Sequence, residues 1–143
     1  MRISSPAFKD NEYIPSKYTC EGEDINPEIL VSGIPEGAKS LALIMDDPDA
    51  PMGTWVHWVV FDMPLVARIE ENSSPGKPGV GTSGAKEYHG PCPPSGTHRY
   101  FFKFYALDTQ LGLNEGISKG QLEKAMQGHI LEKAEIIGLY KKR

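Results

Sequence analysis

Hydrophobic positions along this chain fall into short blocks, with Pro and Gly interrupting them at roughly 10- to 15-residue intervals, the rhythm of strands joined by loops. Residues 55–62 are dominated by aromatic and β-branched side chains, which suit a pleated, buried surface. Strict alternation puts Trp55, His57, Val59 and Phe61 on one face and Val56, Trp58 and Val60 on the other. Both faces are apolar, so the pattern predicts a strand covered on both sides, with Trp58 in the core and turned away from His57. In residues 98–107, His98, Tyr100, Phe102 and Phe104 share a face, and Arg99, Phe101, Lys103 and Tyr105 share the other. An imidazole and a phenol at one end of an aromatic stripe suit a pocket at a sheet rim. Residues 28–32 and 40–45 read as shorter strands, the second almost wholly apolar and therefore central. Residues 133–140 return as a last strand.

One helix is expected. Ser118-Lys119-Gly120-Gln121 fits a capping box, and Leu122, Ala125, Met126 and His129 follow at helical spacing. That set reads as core-facing, with His129 structural. Residues 73–90, rich in Gly, Ser, Pro and Lys, read as a long surface loop, a length uncommon without a functional reason. No repeat or linker divides the chain. The expectation is a single domain over residues 1–143, mainly β (α+β with few helices): packed antiparallel sheets and one helix near the C-terminal end.

Composition narrows the functional classes. With 143 residues, 39% hydrophobic and 24% charged, the chain can bury one sizeable core and is globular, not disordered. A net charge of −4 argues against nucleic acid as a partner, which calls for a basic patch; Lys141-Lys142-Arg143 reads as a solvated tail. The start, Met1-Arg2-Ile3-Ser4-Ser5-Pro6, has no apolar signal region, and no apolar run is long enough for stable membrane insertion. A cytoplasmic protein is therefore expected. Cys20 and Cys92 lack metal-knuckle spacing and are expected as reduced thiols, a disulfide being credible mainly in a hyperthermophile cytosol or an oxidising compartment.

Two segments concentrate the polar chemistry. Asp46-Asp47-Pro48-Asp49-Ala50-Pro51 precedes the strand carrying His57, and Gly90-Pro91-Cys92-Pro93-Pro94-Ser95-Gly96-Thr97 runs into His98-Arg99-Tyr100. Proline fixes φ and removes a donor, so both loops are stiff. A neighbouring carboxylate raises an imidazole pKa from about 6.5. His57 or His98, supported by Asp47, then donates to a phosphate oxygen, with amides of the 91–96 turn adding donors. Asp47 or Asp49 can accept from a ligand ammonium or hydroxyl. Such a pocket suits a zwitterionic or singly charged phosphate ester better than a highly charged anion.

Plainer roles compete with these. Asp47 and Asp49 can cap turn amides, His57 can be a satisfied core histidine, and Arg99, pointing the other way, reads as half of a structural ion pair. No metal site is expected, since neither His-x-His nor His-x3-His spacing occurs. Ser95 lies in turn chemistry without a nucleophile elbow. Cys92 with His98 and an aspartate makes a nucleophile set only on paper. The crowded Ala50-Pro51 step is a candidate for a cis bond.

These same residues carry a resemblance to the phosphatidylethanolamine-binding protein family, also called Raf-kinase-inhibitor-like proteins. Asp47-Pro48-Asp49-Ala50-Pro51 matches its first signature, and the stretch from Gly90-Pro91 to Gly96-Thr97-His98-Arg99-Tyr100 its second. Ile14-Pro15, Tyr18-Thr19-Cys20-Glu21-Gly22, Asn26-Pro27-Glu28 and the ending around Gly128-His129-Ile130-Leu131 and Gly138-Leu139-Tyr140 are similar to its prokaryotic branch.

The resemblance implies Greek-key connections and a rim pocket for anions such as phosphate or phosphorylethanolamine. The pocket residues by matching position are Asp47, Trp55, His57, Gly90, Pro91, His98 and Tyr100, with Asp49 and Cys92 as further candidates. It also implies that a homodimer is plausible. Val56 departs from the eukaryotic pattern, which carries a second histidine there, and the longer eukaryotic C-terminal segment is missing. Kinase regulation and membrane-lipid transport therefore carry over poorly.

The leading expectation is a non-enzymatic binding protein for a small anionic ligand, with no cofactor and with any protein partner unspecified. One alternative is an inhibitor or regulator of a kinase or serine protease acting through the 73–90 loop. Another is a weak ester or phosphate hydrolase using His57 and Asp47 as acid and base.

Overall fold

In the computed structural model, which describes residues 1–143, the longest apolar blocks become four long strands: β4 (Ser40–Asp47), β5 (Trp55–Met63), β8 (Thr97–Leu107) and β9 (Ile130–Lys141). With β2 (Glu12–Tyr13) and β7 (Lys77–Pro78) they form a six-stranded sheet in the order β2-β9-β8-β4-β5-β7. A smaller antiparallel sheet, β1-β3-β6, consists of β1 (Arg2–Ser4), β3 (Ile29–Ser32) and β6 (Arg68–Ile69). Only the two-residue β2–β9 pair is parallel.

Every residue of β4 is buried, as its apolar run requires of a central strand. Leu41, Leu43 and Met45 pack with Tyr100, Phe102 and Phe104, and this face is closed by Ile29 and Ile69 of the small sheet. Ala42 and Ile44 face Val59, Phe61 and two residues of α1 (Lys119–Met126), Leu122 and Met126. Small sheet on one side and helix on the other thus cover the strand. The helix starts with the expected reciprocal cap between Ser118 and Gln121. His129, by contrast, lies beyond the helix on the surface, with Nδ1 2.8 Å from Asp108 Oδ1; it is not part of the core-facing set.

β5 and β7 lie beside β4 on one side, and a long connection then carries the chain across to place β8 on the other. This is Greek-key order, with β6 diverted to the small sheet. The crossover is the 73–90 segment, which is far from a free loop. It contains β7 and runs along β5, with Gly79 N donating to Val59 O, Thr82 N to Val56 O and His89 N to His57 O. A Cβ at Gly79 would stand 2.5 Å from Val59 Cγ1, so glycine permits this close approach.

Strict alternation fails on β5. Met45 pairs with Trp58 and Asp46 with Val56, leaving His57 as an extra residue. Such a β-bulge turns two successive side chains toward one face. His57 and Trp58 therefore share the Tyr100 side, while Val56, Val59 and Phe61 pack toward the helix. Trp58 is a core residue, but it does not lie opposite His57.

Two further expectations are corrected. Cys20 and Cys92 are joined by a disulfide, their Cα atoms 5.5 Å apart, because the turn after Tyr18 folds against the loop that follows Gly90. All peptide bonds are trans, Ala50–Pro51 included. No helix is long and apolar enough to cross a membrane.

Candidate functional site

Because β4 lies between β5 and β8, the last residue of β4 and the first residues of its neighbours meet at one rim of the sheet. Asp47 ends β4 opposite Trp55, the bulge aims His57 at the same place, and His98 and Tyr100 arrive from β8. Asp47 Oδ2 accepts from His98 Nδ1 at 2.7 Å, while Oδ1 accepts from the Asp49 amide, also at 2.7 Å. The carboxylate thus orients an imidazole and caps its own turn. His57 Nδ1 donates to the His89 carbonyl at 2.6 Å. Tyr100 sits between the two imidazoles, edge-on to His57 with centroids 5.3 Å apart and stacked with His98 at 6.5 Å.

These side chains form the floor of a cleft of about 420 Å³. Trp55, Thr82, His89, Gly90, Cys92, Pro93, Pro94 and the 50–54 turn line its walls and mouth. Asp47, His57, His98 and Tyr100 are all buried. Both histidines spend Nδ1 on the protein, and both Nε2 atoms keep solvent access without a protein partner. Tyr100 Oη is buried and unpartnered.

The electrostatics differ from the sequence expectation at His57. Burial holds its pKa below the usual imidazole value, outweighing the His89 carbonyl and the Asp47 charge, both of which act upward. Asp47 is too committed to His98 and the Asp49 amide to act as a direct partner of His57. Burial, followed by the nearby Asp47 charge, pushes the Tyr100 phenol far up, so it stays a protonated donor. Neutral His57 and neutral Tyr100 are the states this geometry favours.

Of the predicted pocket residues, Asp47, Trp55, His57, Gly90, His98 and Tyr100 come together on the cleft. Pro91 does not line it; its carbonyl accepts from Cys20 N at 3.1 Å and fixes the loop from behind. Gly90 contributes close backbone approach: its amide donates to Asp24 Oδ1 at 2.7 Å, and a Cβ there would stand 2.1 Å from Tyr18 O. Asp49 lies outside. It accepts from Arg99 Nε, Nη2 and backbone N at 2.9 to 3.0 Å, and the Arg99 guanidinium holds its carboxyl below the ordinary range. Arg99 is therefore the structural ion-pair residue that its strand face implies. Cys92 lines the cleft as half of the disulfide, so it offers no thiolate. Asp46, adjacent to Asp47, turns to the opposite face and pairs with Lys103 at 3.1 Å and Lys119 at 2.8 Å. No group of three or more His, Cys, Asp or Glu side chains is placed to hold a metal ion.

His89 and Asp24 are the site residues that sequence reasoning missed. One acts through its carbonyl and the other through a backbone amide of the loop, and neither leaves a side-chain pattern. Their only signal is adjacency, His89 to the Gly90-Pro91 step and Asp24 to the Cys20 turn.

Along nearly its whole length the chain is similar to known proteins. The sequence model described as phosphatidylethanolamine-binding protein matches residues 4–141. A UPF0098 protein of Methanothermobacter thermautotrophicus is 50% identical over 99% of this chain and 99% of its own length. One of Aquifex aeolicus is 49% identical over 99% of this chain and 89% of its own. Among solved structures, a phosphatidylethanolamine-binding protein homologue of Chlamydia trachomatis superposes with a TM-score of 0.97 at 42% identity, covering 99% of this chain and 97% of that one. Escherichia coli YbcL, described as a member of the mammalian family, gives a TM-score of 0.91 at 28% identity over 99% and 98% of the two chains.

Proposed function

The chain belongs to the phosphatidylethanolamine-binding protein family, and on that premise we propose that its rim cleft binds a small anionic or phosphorylated group without chemical turnover. One observation carries the reading: Tyr100 Oη and the Nε2 atoms of His57 and His98 converge on a single cleft, and none has a protein partner. Buried polar atoms are normally paired, yet Tyr100 Oη is not, and a phosphate group placed among these three accepts from Tyr100 and can share a proton with an imidazole nitrogen. The Asp47 carboxylate holds His98 in place and favours a ligand of low net charge.

Burial holds His57 neutral, and its Nε2 lone pair meets a ligand oxygen only through a proton carried between them. The ligand therefore draws a proton onto the site, and affinity rises as pH falls below the ordinary imidazole value of about 6.5. Calorimetric titration with phosphorylethanolamine tests this. Binding at about pH 5.5 is expected to be at least about tenfold tighter than at about pH 8, and His57→Ala is expected to weaken it by a similar factor at the lower pH. No binding at either pH, or an unaltered affinity in His57→Ala, contradicts the proposal.

A further inference from the structure

The hydrogen-bonding roles at the cleft floor are set from behind. His57 Nδ1–H is committed to the His89 carbonyl at 2.6 Å and His98 Nδ1–H to Asp47 Oδ2 at 2.7 Å. In a neutral imidazole, one nitrogen donating inward leaves the other as an acceptor. Burial keeps His57 neutral, so its open Nε2 is an acceptor, as is the Asp47 carboxylate. Beside it, Tyr100 Oη–H is a donor without a protein partner. The titratable groups facing His57 are Asp47, Asp24 and the His89 ring on the cleft wall, and Asp49 joins Asp47 in facing His98 and Tyr100. The three carboxylates add no donor.

We propose that this cleft selects ligands that bring their own proton: oxyanions bearing a P–O–H or comparable acidic O–H are accepted, and fully deprotonated oxyanions are rejected. The inference rests on the reading of the cleft as an anion site and adds its selectivity rule. A hydrogen phosphate group donates through P–O–H to His57 Nε2 and accepts from Tyr100 Oη through a second oxygen. Sulfate has the same tetrahedral shape but carries no proton near neutrality. It accepts from Tyr100 and sets other oxygens against the His57 lone pair and a carboxylate. Losing a charge-assisted hydrogen bond and leaving buried acceptors opposed is worth about 10- to 100-fold in affinity.

The full chain is titrated calorimetrically with inorganic phosphate and with sodium sulfate at about pH 7.5 and constant ionic strength. Phosphate is expected to bind at least about tenfold more tightly than sulfate. His57→Gln, whose amide can present an N–H where the wild type has a lone pair, is expected to narrow that ratio, as is Asp47→Asn; circular dichroism identifies which variants are folded. Sulfate binding within about threefold of phosphate in the wild type overturns the selectivity rule while leaving the anion site standing. Binding of neither phosphate nor phosphorylethanolamine removes the anion site, and the rule with it.

Discussion

His98 and Asp47 hold each other at the cleft floor, Nδ1 to Oδ2 at 2.7 Å, with side chains only 8% and 4% exposed. Asp47 also caps the amide of Asp49. Removing a single partner from a buried, hydrogen-bonded pair strands the other. Asp47→Ala is therefore expected to lower unfolding free energy by about 3 kcal/mol. In Asp47→Ala/His98→Ala the second change removes the stranded imidazole, so the double variant loses less than the sum of the singles. Urea unfolding of the four proteins measures this, and strict additivity speaks against the coupling.

Tyr100 bears a hydroxyl with no protein partner in a fully buried position. An unpaired buried hydroxyl opposes folding, so its presence fits a group kept for a ligand. Tyr100→Phe is expected to leave stability unchanged or to raise it by about 1 kcal/mol. The same change weakens phosphorylethanolamine binding about tenfold. Thermal melts and calorimetry on one preparation give both values, and a stability loss with affinity intact contradicts this assignment.

The Cys20–Cys92 bond closes a loop between residues 72 apart in sequence. Chain entropy for a loop of that length gives about 4 kcal/mol of stabilisation. Reduction by a dithiol, or Cys20→Ser, is expected to lower the unfolding midpoint accordingly. Three hydrogen bonds also join the Tyr18–Asp24 turn to residues 88–91, through Tyr88 Oη, Gly90 N and Pro91 O. The reduced protein should therefore stay folded under mild conditions. Denaturant titration with and without dithiol provides the check.

Burial of His57 also makes stability depend on pH. Its folded pKa lies below the unfolded value of about 6.5, so between the two the unfolded chain binds more protons. Its contribution is complete above about pH 6.5 and is lost as pH falls toward the folded pKa. Asp49, Glu21 and Glu71, all held low by hydrogen-bonded partners, lose theirs only in the carboxylate range near pH 4. Wild type is expected to be less stable at about pH 5.5 than at about pH 7.5, and His57→Gln to lose less over that interval. Equal slopes in the two proteins would remove His57 as the cause.

β4, β5, β8, β9 and the capped helix were legible in the sequence because each is long, strongly apolar or marked by a cap. The alternation on β8 correctly put His98 and Tyr100 beside an aromatic wall. On β5 the same rule misplaced Trp58, since nothing in the Trp55-Val56-His57-Trp58 string announces an extra residue. The strands β1, β2, β6 and β7 are two or three residues long and exist through their partners, so no local pattern predicts them. Burial reversed the expected charge of His57, an effect that depends on neighbours far away in the chain. The disulfide was equally hidden, because only the fold brings the turn after Tyr18 against the loop after Gly90.

The shared cleft is tested most directly by titrating phosphorylethanolamine into protein carrying nitrogen-15 in its histidine rings. We expect the Nε2 resonances of His57 and His98 to move together and saturate at one ligand concentration, while those of surface His129 stay fixed. Movement of His129 alone, or rings of His57 and His98 that ignore the ligand, would contradict a common binding site.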